Sequence, residues 1–440
     1  MQQHQYQKKL NTCRWSLASI VLLLSCVFAN AQQLMDVDTS RGFGRDVLSM
    51  YKKFEHMRIS GYIQPQFQFA ESRGIKSFNG GDFAPNSDNR FSVRRGRFRL
   101  DYARYKDGQP SVLFVFQFDC SERGVFTRDF WGRYYENRFK WFSLTAGMFA
   151  RPFGYEVNLG SGDRESPERG RMSQLLMRTE RDLGAMLSIE PRIANHPLRH
   201  FRIDAGFFNG QGLSATTDFD SHKDFITRLV LKPTKLKSKV TISGGVSAFL
   251  GGMEQFTKQI YRMQGTSFVV DSSTANVGQI APRRYVGADV QVKIPNRKGG
   301  ATEFRAEYIA GSQTAMLGST ESPGAIPLLA SGQYAPLYIR KFDGAYFYFL
   351  QHLGHPKHQL VLKYDWYDPN KAVKGTAIGK GFSWADIRYD TYGMGYVYYA
   401  NENVKLTLWY EKPVNEATSI ADYTSDAKDN VFTCRVQYRF

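Results

Sequence analysis

Long apolar runs are missing from this sequence. Past Phe28 no stretch approaches the roughly 18 consecutive apolar residues of a membrane-spanning helix. Mean hydropathy is −0.43, so most of the chain cannot be helical membrane spans. Cysteine is nearly absent, with four in 440 residues. Two of these, Cys13 and Cys26, fall in the N-terminal segment. Cys120 and Cys434 each lie on the apolar side of an alternating stretch. That is no disulfide framework, and no Cys/His spacing suggests zinc. The spacing His352, His355, His358 straddles a short turn containing Pro356 and reads as a polar turn rather than a metal site. No Ser–His pair comes with an orienting third group. Ser214 and His222 share a loop with no matching motif, so no enzyme and no cofactor are expected.

The N-terminus has the composition of an export signal. Lys8, Lys9 and Arg14 precede an apolar stretch from Leu17 to Phe28, and Ala29-Asn30-Ala31 is a small-x-small cleavage site. A rival reading takes Leu23-Leu24-Ser25-Cys26 as a lipoprotein signal, against which stands the bulk of Leu24. We therefore expect a signal peptide over 1–31, a polar periplasmic extension over 32–56 with a short helix at Asp46 to Phe54, and one domain over 57–440. The formal charge of +17 becomes +14 without residues 1–31, which favours anionic partners. A nucleic-acid partner would require a fold motif as well, and none is present.

Aromatics make up 15% of the chain, and a two-residue rhythm runs through most of it. In the last segment Phe432, Cys434, Val436, Tyr438 and Phe440 alternate with Thr433, Arg435, Gln437 and Arg439. Side chains alternate across a strand, so one face suits lipid and the other water. Such segments predict strands near 57–69, 90–103, 111–121, 127–138, 141–150, 183–191, 199–209, 222–232, 238–250, 284–294, 302–311, 338–351, 357–367, 388–400, 403–413 and 430–440. Alternation is poorest at 127–138 and 388–400. The links after even-numbered strands are short, as at Lys106-Asp107-Gly108-Gln109. Most after odd-numbered strands are long, as at 70–89, 151–182, 251–283 and 312–337. Short turns on one side and long loops on the other are the habit of transmembrane barrels. The expected fold is all-β: a transmembrane antiparallel β-barrel of about sixteen strands in an outer membrane, its third outer loop folded into the lumen.

Arg94-Arg95-Gly96-Arg97-Phe98-Arg99 carries the chemistry. Arg95, Arg97, Arg99 and Asp101 share one face of the strand. One Arg facing lipid near the midplane costs about 2–4 kcal/mol, and three would cost roughly 6–12 kcal/mol, comparable to a domain's whole stability. They must face the lumen, where a column of guanidiniums suits oxyanions. The alternative is that they pair with lumenal carboxylates such as Asp119 and stiffen the wall. The link 151–182 mixes Asp163, Glu165 and Glu168 with Arg164, Arg169 and Arg171, a composition suited to a solvated constriction.

The Arg-Arg-x-Arg run, Gly147-x-Phe149-x-x-Pro152-Phe153-Gly154, Glu180-Arg181-Asp182-Leu183-Gly184 and the terminal Phe440 resemble the phosphate-selective porin O and P family over nearly the whole of 32–440. The resemblance implies a trimeric sixteen-stranded porin with an arginine-lined constriction. It assigns Arg95 and Arg97 to the wall and Arg169 and Arg171 to the loop, as a site for phosphate-like anions. Arg202, Arg228, Arg305 and Lys363 are further candidates on later strands. The expected function is passive diffusion of small hydrophilic solutes with anion preference. The alternatives are a non-selective porin, or a barrel acting chiefly as an adhesin or receptor.

Overall fold

The computed structural model describes residues 56–440 apart from 215, 216, 238 and 298. The expected signal peptide 1–31 and the extension up to residue 55 lie outside the described residues. The strands are β1 (Met57–Ala70), β2 (Asn89–Lys106), β3 (Gln109–Ser121), β4 (Gly124–Tyr135), β5 (Phe142–Ala150), β6 (Arg181–Ile189), β7 (Phe201–Phe208), β8 (Asp224–Lys235), β9 (Thr241–Glu254), β10 (Gln259–Gln264), β11 (Ser267–Ser272), β12 (Ile280–Pro295), β13 (Ala301–Ala315), β14 (Leu337–His352), β15 (His358–Asp368), β16 (Tyr389–Tyr399), β17 (Val404–Asn415) and β18 (Val431–Arg439). Among the described residues one short α-helix, α1 (Arg171–Leu176), interrupts them.

Neighbours in the chain pair antiparallel, β9 pairs with β12, and β1 pairs with both β2 and β18. The ring is therefore closed and has sixteen strands. Closure leaves no edge, the condition for a strand to cross hydrocarbon. All sixteen expected strands are present, including both weakly alternating ones. The segment expected as a plain link at 251–283 instead holds the hairpin β10–β11, whose first strand adds in parallel to the start of β14 through Ile260 and Leu337. A second correction concerns the links. The β3–β4 turn is as tight as any on the other side, and the β6–β7 link, 190–200, is longer than a turn. At the β2–β3 turn, Asp107 and Gly108 have φ of 51° and 70°, the pair of positive values that a type I′ hairpin requires.

The burial pattern is inverted relative to a water-soluble protein. Phe114, Phe130, Leu144, Phe207, Leu229, Val246, Val290, Phe304, Met394 and Tyr410 point outward and are exposed. Gln66, Arg97, Gln117, Thr145, Arg228, Asp289, Glu307, Thr407 and Arg435, from the alternate positions, are buried inside. Tyr364 lies 5.2 Å from Tyr392 and 6.4 Å from Phe347, a row of outward rings of the kind found at a membrane interface. Cys120 and Cys434 are free and half-buried.

In β2 the rhythm breaks once. Phe91 and Val93 face out, and so does Phe98, so the alternation changes phase between Arg94 and Arg95. Both arginines consequently face inward, which an unbroken period of two does not anticipate. In β4 the register slips beside Arg128: Gln117 opposes Asp129 while Phe118 opposes Thr127. That slip turns Arg128 inward as well.

The outward face predicts the first test. Val246→Arg, at the middle of β9, should cost about 2–4 kcal/mol in denaturant unfolding from lipid vesicles. Gln291→Arg, which faces inward beside Asp289, should cost far less; equal costs would contradict the assignment of faces.

Candidate functional site

The segment 151–180, between β5 and β6, is tied at its base. Arg151 donates to the Thr179 carbonyl, and its backbone N–H to Glu180 O at 3.0 Å. Phe153, fully buried, packs edge-on against Phe249 and Tyr285 of β9 and β12. The backbone N–H groups of Tyr155 and Glu156 both donate at 3.0 Å to the Glu307 carboxylate on β13. Glu156 in turn accepts from Gly170 N, Ser173 Oγ and the Tyr348 hydroxyl of β14.

Charges continue the attachment. Glu165 takes a two-pronged bond from Arg305 at 2.7 and 3.0 Å. Lys405 of β17 donates to the carbonyls of Gly162 and Arg164, each at 3.0 Å. Gln64 of β1 and Gln437 of β18 donate to the carbonyls of Ser161 and Gly162. Glu168, 2% exposed, is bonded by Arg95 at 2.6 Å, Arg94 at 2.9 Å and Arg435 at 2.9 Å. Asp163, Glu165 and Glu168 thus pair with arginines of the wall and not with the arginines beside them in sequence.

On the β2–β4 side, basic groups outnumber their partners. Arg128, Arg169 and Arg181 share Glu180, the latter two at 3.2 and 2.7 Å. Arg97 and Arg128 share Asp119 at 3.6 and 3.5 Å. Arg97 is 8% exposed, and its Nε has no hydrogen-bond partner. The opposite wall is balanced pair by pair: Arg228 with Asp289 at 2.7 Å, Arg283 with Asp224 at 2.8 Å, Lys363 with Asp365 at 2.9 Å. Arg202, another sequence candidate, pairs with Asp204 at 2.9 Å.

A cavity of about 1230 Å³ opens at the end with the long links. Eleven Lys and Arg side chains line it against six Asp and Glu. Arg95, Arg97, Arg169 and Arg171 are among them. Arg171 lies over the rings of Tyr389 and Phe78, 3.3 and 4.4 Å from their centroids. Arg99 lies on the inner face as expected, but bonds Asp101 at 2.8 Å and does not line this cavity. Of the other arginines of this cavity, Arg94 and Arg128 were not expected on the inner face, and Arg164 and Arg181 were read only as part of the loop's mixed charge and of a motif. The first two come inward through irregularities in the strands. Arg164 lies folded over the carbonyls of Ser166 and Pro167. A second cavity, about 690 Å³, opens towards the short turns and includes Arg133, Ser143, Glu190, Arg202 and Arg228. Of the three spaced histidines, His352 Nδ1 meets the Ala301 backbone and His358 Nδ1 the Tyr396 hydroxyl, while the His355 ring stands edge-on to His358 with centroids 6.2 Å apart.

No protein-family model matches the sequence, and neither does any curated protein. Solved structures do match in fold. OprB of Pseudomonas putida aligns with TM-score 0.57 at 8% identity, over 91% of this chain and 96% of its own. An anion-selective porin from Comamonas acidovorans aligns with TM-score 0.52 at 11% identity, over 87% of this chain and 99% of its own. The channel DcaP of Acinetobacter baumannii aligns with TM-score 0.50 at 12% identity, over 87% and 97%. The fold is that of outer-membrane porins. With its apolar exterior, the chain is a multi-pass β-barrel of the outer membrane.

Glu168 gives the second test. Burial pushes its carboxyl up, but Arg94, Arg95 and Arg435 together hold it well below the usual carboxylate range. A depressed carboxylate stabilises the fold above its unfolded-state value, about pH 4.3, and that contribution fades as pH falls towards the folded value. Glu168→Gln should cost about 3–5 kcal/mol at neutral pH, because it leaves buried guanidiniums unpaired. The difference from wild type should shrink on acidification through that window. A pH-independent difference in unfolding free energy would contradict this role.

Proposed function

We propose that the chain is a porin through which small hydrophilic solutes diffuse passively, with a preference for anions and for phosphate-like oxyanions among them. The observation that carries this reading is the unbalanced charge of the β2–β4 wall. Three guanidiniums share Glu168 and three share Glu180, beside an open cavity. Excess positive charge along a water-filled wall raises the local concentration of anions and excludes cations. The planar donor forks of Arg95, Arg97, Arg169 and Arg171 suit the oxygens of phosphate or carboxylate. Arg97, with its weak carboxylate contact, is the side chain of this group best placed to receive an oxyanion. Arg99, neutralised by Asp101, contributes less.

The cavities on either side of the loop favour a conducting barrel over one serving chiefly as an adhesin or receptor, which would need no open lumen. Lipid of the outer membrane covers the apolar belt. Assembly as a homotrimer rests on the sequence resemblance alone, and the mass of the detergent-extracted complex tests it.

Reversal potential in a planar bilayer under a salt gradient tests the selectivity. Wild type should favour chloride over potassium, and phosphate should reduce chloride current by competition. Arg97→Glu with Arg128→Glu should weaken or invert the preference, each substitution changing the local charge by two units. A cation-selective wild type would overturn the anion preference while leaving the pore itself.

A further inference from the structure

We propose that the cavity at the long-link end takes organic anions that carry a flat unsaturated ring, an aryl phosphate or aryl carboxylate, with Phe126 as the platform for the ring. This rests on the porin reading above and names the class of solute that the same wall receives. The register places Phe126. Arg97 of β2 opposes Asp119 of β3, and Asp119 opposes Phe126 of β4. Directly opposed residues share a face, so the three form one inward row, roughly 10 Å from end to end at about 4.8 Å per strand. The neighbours Val125 and Thr127 oppose Cys120 and Phe118 on the outward face. The slip beside Arg128 explains why Phe126 faces inward although Phe130, four residues on, faces lipid.

Phe126 is 58% exposed. On the outward face such exposure meets lipid, but on the inner face it meets water. Other large rings turned inward are covered: Phe153, Phe249 and Tyr285 pack on one another and are at most 1% exposed. Phe126 instead lines the arginine-rich cavity, and no other ring of the described residues stacks on it. An apolar ring face held in water is a surface that a second ring covers favourably.

The cations for the other end of such a solute lie alongside. Arg97 and Arg128 share Asp119, and the Nε of each has no hydrogen-bond partner. Both line the same cavity as Phe126. One small molecule spans them, with its oxyanion on the two guanidiniums and its ring on Phe126. The link after β15 repeats the pairing of ring and cation: Trp384, 39% exposed, lines this cavity with Lys76 Nζ 5.4 Å from its ring centroid. An inorganic anion has no use for either ring, whereas an aryl anion finds a surface for both of its parts.

Planar-bilayer recordings with phenyl phosphate and methyl phosphate, which share a head group, test the class. Phenyl phosphate should halve the wild-type chloride current at a roughly fivefold lower concentration than methyl phosphate, since the ring adds a contact that the methyl group cannot make. Phe126→Ala should bring that ratio to about one. Phe130→Ala, which removes an outward ring from the same strand, should leave it unchanged. Equal block of wild type by the two esters, or block by neither, would overturn the proposal. So would a ratio that survives Phe126→Ala, or one lost equally in Phe130→Ala. Should Phe126→Ala not insert, Phe126→Gln offers the same reading. A wild-type barrel that carries no current overturns the porin reading as well, whereas equal block by both esters overturns this inference alone.

Discussion

A backbone that crosses hydrocarbon has no water to pair with, so each N–H and C=O must find a partner in the neighbouring strand. Closing β1 onto β18 meets that demand, and the rest of the molecule follows from it. A closed ring has one face to lipid and one to the interior. Apolar side chains take the first at every second position. A charged side chain at hydrocarbon depth must take the second, where it needs either an opposite charge or water.

The loop 151–180 supplies those opposite charges unevenly. Beside β13 each wall arginine has its own carboxylate, as Arg305 has Glu165. Beside β2, β4 and β18 a single carboxylate serves several guanidiniums. Two like charges about 4 Å apart repel by about 4 kcal/mol at an effective dielectric of about 20. Such crowding is tolerable where water or a mobile anion lies alongside. The larger cavity opens against this crowded wall, so charge surplus and open space belong to one arrangement.

Much of this was legible in the sequence. The alternation of Leu406, Leu408 and Tyr410 with Lys405, Thr407 and Glu411 identifies a lipid face and a lumenal face. Asp107-Gly108 identifies its turn, and the cost of arginine in lipid turns Arg95, Arg97 and Arg99 inward. Three things were not legible. A strict period of two has no place for a phase change, so Arg94 and Arg128 escaped. The hairpin β10–β11 does not cross the barrel: Val269 and Val270 are adjacent and both exposed, so no alternation marks it. Partnerships between loop and wall join residues far apart in the chain, as Glu168 joins Arg95 and Arg435, and no local pattern encodes them.

The central claim is that the polypeptide is wrapped with its polar side inward. Nitroxide labels placed singly from Leu406 to Tyr410 on β17, in lipid vesicles, address it most directly. Collision with dissolved oxygen, which concentrates in the hydrocarbon, should be high at Leu406, Leu408 and Tyr410 and low at Thr407 and Trp409. High oxygen access at Thr407 and Trp409, or equal access along the whole strand, would contradict the account.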